Sequence, residues 1–444
     1  MNCRGTLREL TLMAASMITI IGTTAISPSL PQMADFFGAT PHGRFLVRIS
    51  LSLPALSAGL FGPLTGFVID RWGRKRVFVG SLILYGISGA LGFFLTSLSA
   101  ILVSRFILGI SVAAITTCAT ALIGDYSQQS KLGTFMGRQS LFMAFGNVLF
   151  LSLSGVLADL DWRWPFLIYG IAFLILPGAL LLITEPQLRR DAEEKVTEAA
   201  KEAMPVAKTA FVCVVGFANM VVYFMVPVYL PFLVHSFPDI NSMKVGGLLA
   251  LVGLTWGLSS SQYHRLGKRL SFERIALLAL ALIAAGYFLL SSATNYLAMI
   301  VALILVGIGL GTIVPNLNAW LLSFVPAVMK GRAIGTLVFF VFLGQFFSPV
   351  ITQPLISAVG ISRSFLIAGM LHMSIALACG MYEFRQKLRN RGELSDDSAR
   401  TKHPRRSQQT DCPVTEDRAQ VVGLESMNPS MESARAVEEI SLEH

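Results

Sequence analysis

Few residues in this chain can do chemistry, and their setting limits what that chemistry is. Arg48, Arg105 and His372 fall inside long apolar stretches. An ionisable side chain at mid-helix in hydrocarbon costs at least ~2.5–3.5 kcal/mol, so each is a candidate for function. No Asp or Glu occupies the middle of any stretch. Two arginines without a facing acid suit an anionic or zwitterionic solute, such as a carboxylate-bearing metabolite. Arg105 has a second reading, as a structural pin on backbone or on the hydroxyls of Thr23, Thr24 or Ser27. His372, midway along the last stretch, reads as a packing residue. The neutral polar residues Asn147, Asn219, Tyr223, Asn316, Asn318 and Gln345 complete the candidate lining, and interhelical glue is the alternative role for each.

Catalysis and ATP hydrolysis are poorly served. The six histidines are isolated and no H-E-x-x-H pair occurs. No G-x-x-x-x-G-K-[ST] loop is present, so nucleotide hydrolysis does not supply energy. The five cysteines, Cys3, Cys118, Cys213, Cys379 and Cys412, have no paired spacing. Neither a metal, an organic cofactor nor a disulfide frame is expected. An ion gradient, commonly of protons, is the remaining energy source, with Asp35, Asp70 and Asp125 as carboxylates near span ends.

The elements that must position these residues are membrane helices. The chain is 54% hydrophobic and 14% charged, where a soluble protein carries about 25% charged residues. Its apolar residues come in blocks of about 20, long enough for ~30 Å of hydrocarbon. Lipid supplies no hydrogen bonds, so such blocks must be helical. Strands of an outer-membrane barrel would alternate with period two instead. The blocks predict an all-α membrane protein with twelve spans near 9–30, 45–69, 77–97, 99–122, 135–157, 164–184, 209–232, 244–262, 274–293, 296–322, 333–357 and 363–383. The first block is too long for a signal-peptide core and reads as an uncleaved helix.

Alternate loops carry most of the Lys and Arg, including Arg71 to Arg76, Arg189, Arg190, Arg265 to Arg269, Lys330 and Arg332. The positive-inside rule puts these loops and both termini in the cytosol of a bacterial inner membrane. The net charge of +9 is thereby explained without nucleic acid. The expected organisation is a six-helix half at 1–184, a cytosolic linker at 185–208, a second half at 209–385 and a disordered tail at 386–444.

One loop is a signature. Gly66-Phe-Val-Ile-Asp70-Arg71-Trp-Gly73-Arg74-Lys75 follows the second block. It resembles the G-x-x-x-D-R-x-G-R-K loop of the major facilitator superfamily at every defining position. A degenerate copy, Ser260 to Arg269, follows the eighth block, as the superfamily's repeated halves would place it. Arg105-Phe-Ile-Leu-Gly109, Trp162-Arg163-Trp164-Pro165-Phe166, Gly344-Gln345-Phe-Phe-Ser348-Pro349 and Pro28-Ser-Leu-Pro31, taken to end the first helix, are similar to motifs of its drug:proton antiporters. The fifth block departs from that group, with Gly146-Asn147 where a Gly-Pro-rich motif is expected.

The resemblance implies that Asp70 latches onto the start of the eleventh helix, near Arg332, and that Arg74 pairs with Asp125. These contacts would hold the outward-facing state. It further implies a monomeric, proton-coupled exporter of a small organic, siderophore- or drug-like molecule. An importing symporter on the same fold, and a sensor that has lost transport, are the other readings.

Overall fold

The computed structural model describes residues 3–126, 132–185, 205–235, 237, 241–326 and 329–401. Some helical side chains, those of Asp70 and of residues 132–137 and 386–401 among them, lie outside the description. No strand occurs among the described residues.

The first half contains α1 (Cys3–Ile21), α2 (Leu30–Phe37), α3 (Pro41–Trp72), α4 (Arg74–Leu91), α5 (Leu98–Tyr126), α6 (Leu132–Leu160) and α7 (Ala172–Leu182). The second contains α8 (Val206–Tyr223), α9 (Met225–His235), α10 (Ser242–Gly267), α11 (Phe272–Ser291), α12 (Tyr296–Phe324), α13 (Lys330–Val359) and α14 (Ile361–Thr401). Ten membrane-length apolar helices are found among the described residues. The other two spans, α1 with α2, and α4, fall short of that composition because charges such as Arg8, Glu9, Arg74, Lys75 and Arg76 occupy the N-terminal parts of α1 and α4.

Helix starts are written locally. The side chains of Thr40, Asn241, Ser271 and Asn295 each accept the backbone N–H three residues on, capping α3, α10, α11 and α12. Gly73 ends α3 at φ 89°, a conformation that side chains other than glycine's rarely allow.

Four spans differ from the sequence expectation. Pro28 and Pro31 do not end the first one: Pro28 lies in a 3-10 turn (Ser27–Ser29) and Pro31 in the first turn of α2, so the bent span runs to Phe37. A proline at the start of a segment loses no helical hydrogen bond. The sixth span opens as a 3-10 helix (Trp164–Ile171), and the seventh is interrupted at Phe224 between α8 and α9. The last helix continues past residue 385 to Thr401, into the segment expected as a disordered tail. Residues 186–204 of the expected linker and 402–444 of the expected tail lie outside the described residues.

The halves meet along two helix pairs, α3 with α13 and α6 with α10. In the second pair Gly155 faces Gly246. A Cβ on Gly155 would lie 2.6 Å from the Ser242 carbonyl oxygen, so backbone approaches backbone there.

Candidate functional site

A cavity of about 410 Å³ opens between the halves. Thr19 of α1, Thr23 and Thr24 just after it, Val112 and Thr116 of α5, and Met143 and Asn147 of α6 form one wall. Tyr223 and Phe224, Gly253 and Trp256 of α10, and Val341, Phe342 and Gln345 of α13 form the other. Among the described residues, no Asp, Glu, Lys, Arg or His lines the cavity. The rings of Tyr223 and Trp256 meet edge to face at 5.4 Å, giving a rigid aromatic corner. The Thr19 and Thr116 hydroxyls donate to Ser16 and Val112 carbonyls of their own helices, at 2.7 and 2.8 Å. Their lone pairs remain available as acceptors. The Gln345 side-chain oxygen is buried without a partner. A buried acceptor left unpaired is costly, so a ligand donor placed there gains that energy. Asn147 fits a notch left by Gly253, where an added Cβ would stand 1.5 Å from the amide nitrogen.

Of the residues expected at the cavity, Asn147, Tyr223 and Gln345 line it. Arg105 does not. It is fully buried inside the first half, where Nη2 donates to the Gly89 carbonyl at 2.8 Å. Its guanidinium lies 4.8 Å from the Phe166 ring centroid and 4.6 Å from that of Tyr169. Gly89 and Gly92 have no side chains, which lets those rings press onto α4. Arg105 therefore ties α5, α4 and the sixth span together. Its partners are not Thr23, Thr24 or Ser27, whose hydroxyls donate instead to the Ile20 carbonyl, at 3.3 Å for both threonines, and to the Pro227 carbonyl.

Arg48 is also outside the cavity. Its Nη1 donates to the Gln353 side-chain oxygen, and its guanidinium faces the rings of Tyr229 and Phe232 at 5.2 and 4.9 Å. Asn316 joins three helices: its amide donates to the Phe272 carbonyl at 2.9 Å and its oxygen accepts from the Tyr263 hydroxyl at 3.2 Å. Asn318 bonds back to Val314 of its own helix at 3.1 Å. Asn219 faces His372, away from the lining. The apolar pattern could not separate these positions, since helix faces toward lipid and toward protein are equally apolar.

At the basic-loop end, Arg74 forms an ion pair with Asp125 and donates to the Ala121 carbonyl at 3.2 Å. Glu185, taken above only as the first residue of a linker, caps α4. Its two oxygens accept the backbone N–H groups of Arg74 and Lys75, at 2.5 and 2.9 Å. An acid at a helix N-terminus is favoured by the helix dipole. Lys75 donates to the Leu180 carbonyl at 2.8 Å. Gly73 leaves room for the Glu185 carboxylate, which a Cβ would meet at 2.9 Å. Arg71 is exposed, and a Cβ on Gly66, Gly331 or Gly335 would meet nothing within 4 Å.

At the opposite end the halves are joined. Ser27 donates to the Pro227 carbonyl, Arg48 reaches Gln353, and the Asp159 carboxylate accepts from the backbone of Ser242 at 2.7 Å and Met243 at 3.1 Å. These hydrogen bonds cross between the halves. The arrangement is a bundle sealed at the end poor in basic loops.

The model of the Major Facilitator Superfamily matches residues 12–349, and the chain belongs to that superfamily. It is a multi-pass membrane transporter, not an enzyme. The multi-drug resistance efflux pump PmrA of Streptococcus pneumoniae is 24% identical, covering 84% of this chain and 95% of its own. The bacillibactin exporter of Bacillus subtilis is 24% identical over 80% of this chain and 90% of its own. Among solved structures, the inward open xylose transporter XylE from E. coli shares the fold, with TM-score 0.67 and 15% identity over 84% of this chain and 94% of that one.

Proposed function

We propose that this protein is a monomeric, proton-driven exporter of a small, uncharged amphiphilic organic molecule, working by alternating access in a bacterial inner membrane with both termini in the cytosol. The observation that carries the substrate class is the cavity wall. It offers amide, phenol and hydroxyl groups beside aromatic rings, with no charge. A hydrophobic pocket with a few convergent polar groups orients a neutral amphiphile. The anionic or zwitterionic solute expected from Arg48 and Arg105 loses its support, because neither arginine reaches the cavity.

Export is favoured by relatives named as efflux pumps and as a siderophore exporter. The sealed end carries the loops poor in Lys and Arg, which the positive-inside rule assigns to the outside. This form is then open inward, poised to load from the cytosol. The latch of Asp70 on α13 belongs to the opposite state. The sequence holds no nucleotide loop, which leaves an ion gradient as the driving force, and protons are the ion of this proposal.

The test is an untargeted comparison of metabolites in medium and cytosol, for a deletion strain and its complemented counterpart. A compound retained inside the deletion strain and returned to the medium on complementation is the expected result. A compound depleted from the medium only by the complemented strain would overturn export in favour of uptake. Collapsing the pH gradient with nigericin should stop the flux; unchanged flux would remove proton coupling.

A further inference from the structure

The cavity supplies no carboxylate or imidazole, so a proton-driven cycle needs a proton site elsewhere. Among the described residues the second half holds one buried imidazole. His372 of α14 is 1% exposed and is enclosed by α8 and α11. Its Nδ1 faces the Ala368 carbonyl oxygen and its Nε2 faces the Asn219 side-chain oxygen, each at 3.3 Å. Asn219, on α8, is 2% exposed.

The hydrogen-bond accounting is unusual. A neutral imidazole has one donor and one acceptor nitrogen, and an imidazolium has two donors. Here both ring nitrogens face acceptors, the arrangement that suits the doubly protonated ring. The Asn219 amide nitrogen has no partner. Turning that amide by half a rotation exchanges its oxygen for its nitrogen. The N–H would then donate to the Nε2 lone pair of a neutral ring, with no hydrogen bond lost in the turn. One rotatable amide thus serves both protonation states.

The surroundings fit a cation that is held and released. The Tyr287 ring of α11 stacks on the imidazole, with centroids 6.0 Å apart and planes 20° apart. An aromatic face attracts a cation. Tyr287 and, beyond it, Tyr223 are the titratable neighbours. Among the described residues, no Asp, Glu, Lys or Arg acts on the ring.

The site also connects to the cavity. Tyr287 donates its hydroxyl to the Val222 carbonyl at 2.7 Å. Val222 adjoins Tyr223, which lines the cavity and is the last residue of α8 before the break at Phe224. The segment from Asn219 to Tyr223 therefore touches the imidazole, its stacking partner and the cavity.

We propose that His372, paired with the Asn219 amide, binds the coupling proton of the transport cycle. The proposal rests on the proton-driven reading above. The step is a proton association. The Nε2 lone pair takes a proton that enters from outside, Asn219 turns from donor to acceptor, and the proton leaves to the cytosol when the site next opens inward. Charging a ring in this apolar setting costs free energy that depends on local hydration. Occupancy is in this way linked to which side of the bundle is open.

The test is nuclear magnetic resonance of the full-length protein in nanodiscs with ring-labelled histidine. The His372 signal is identified by its loss in His372→Gln, or in His372→Asn if that variant does not fold. The expected result is a signal that titrates between about pH 4 and 7, the window expected of a buried ring, with a midpoint displaced by about one unit in Asn219→Leu. A ring fixed in one protonation state across that range would overturn the proposal. A midpoint unmoved in Asn219→Leu would overturn the role of the amide. Failure of the export reading would appear in the metabolite comparison and leave this titration unchanged.

Discussion

The carboxylate of Asp159, at the end of α6, accepts the backbone N–H of Ser242 at 2.7 Å, across the boundary between the halves. Its second oxygen takes the N–H of Met243 at 3.1 Å. These groups are among the orphan donors of the α10 N-terminus, so an acid of one half completes a helix of the other. The contact must break when the outer side opens.

Replacing that acid should bias the cycle. A lost capping interaction costs about 1 kcal/mol, a factor of about five in a two-state equilibrium. Asp159→Ala is expected to raise the outward-open population by about that factor. Spin-label distances between α6 and α10 at their outer ends would report it. An unchanged distance distribution would show that the cap does not hold the seal.

Arg105 is expected to behave as a structural residue. A lysine keeps its charge but not the fork that reaches Gly89 while facing two rings. Arg105→Lys should cost about 2 kcal/mol or more of stability, seen as a lower melting temperature in detergent. The concentration for half-maximal transport should stay as in the parent. A large rise in that concentration with unchanged melting would return Arg105 to substrate recognition.

Asn147 is placed by an absent side chain. A Cβ at Gly253 would stand 1.5 Å from its amide nitrogen, so Gly253→Ala must push the amide off the wall. Transport in that variant should fall several-fold, and Gly253→Ala combined with Asn147→Ala should recover part of the loss. Additive losses in the double variant would mean that the two positions act separately.

The neutral cavity makes charge selectivity testable. Gln345→Glu places an acid where a neutral amide now lies without a partner for its oxygen. Cells carrying this variant should gain about tenfold tolerance to ethidium, a lipophilic cation, since an unpaired buried acid attracts one. Equal tolerance in parent and variant would show that position 345 does not face the transported molecule.

The amino-acid sequence by itself determined the membrane architecture. Blocks of apolar residues must become helices because lipid offers their backbones no partner, and loop charge separates the two ends. The Gly66 to Lys75 loop singled out the superfamily, and the Arg74–Asp125 pair it implied is present, though in the form read as open inward and not in the outward-facing state the resemblance assigned to it. Tertiary structure decided what the cavity contains. Arg105, Asn219 and Asn147 all sit inside apolar spans, yet only Asn147 reaches the lining. Which way a buried side chain points depends on how its helix is rotated against its neighbours, and an apolar pattern alike on all faces does not encode that rotation. Glu185, Asp159 and Gln353 were illegible for a related reason: each acts on a group distant in sequence, Glu185 on the start of α4, the other two across the two halves.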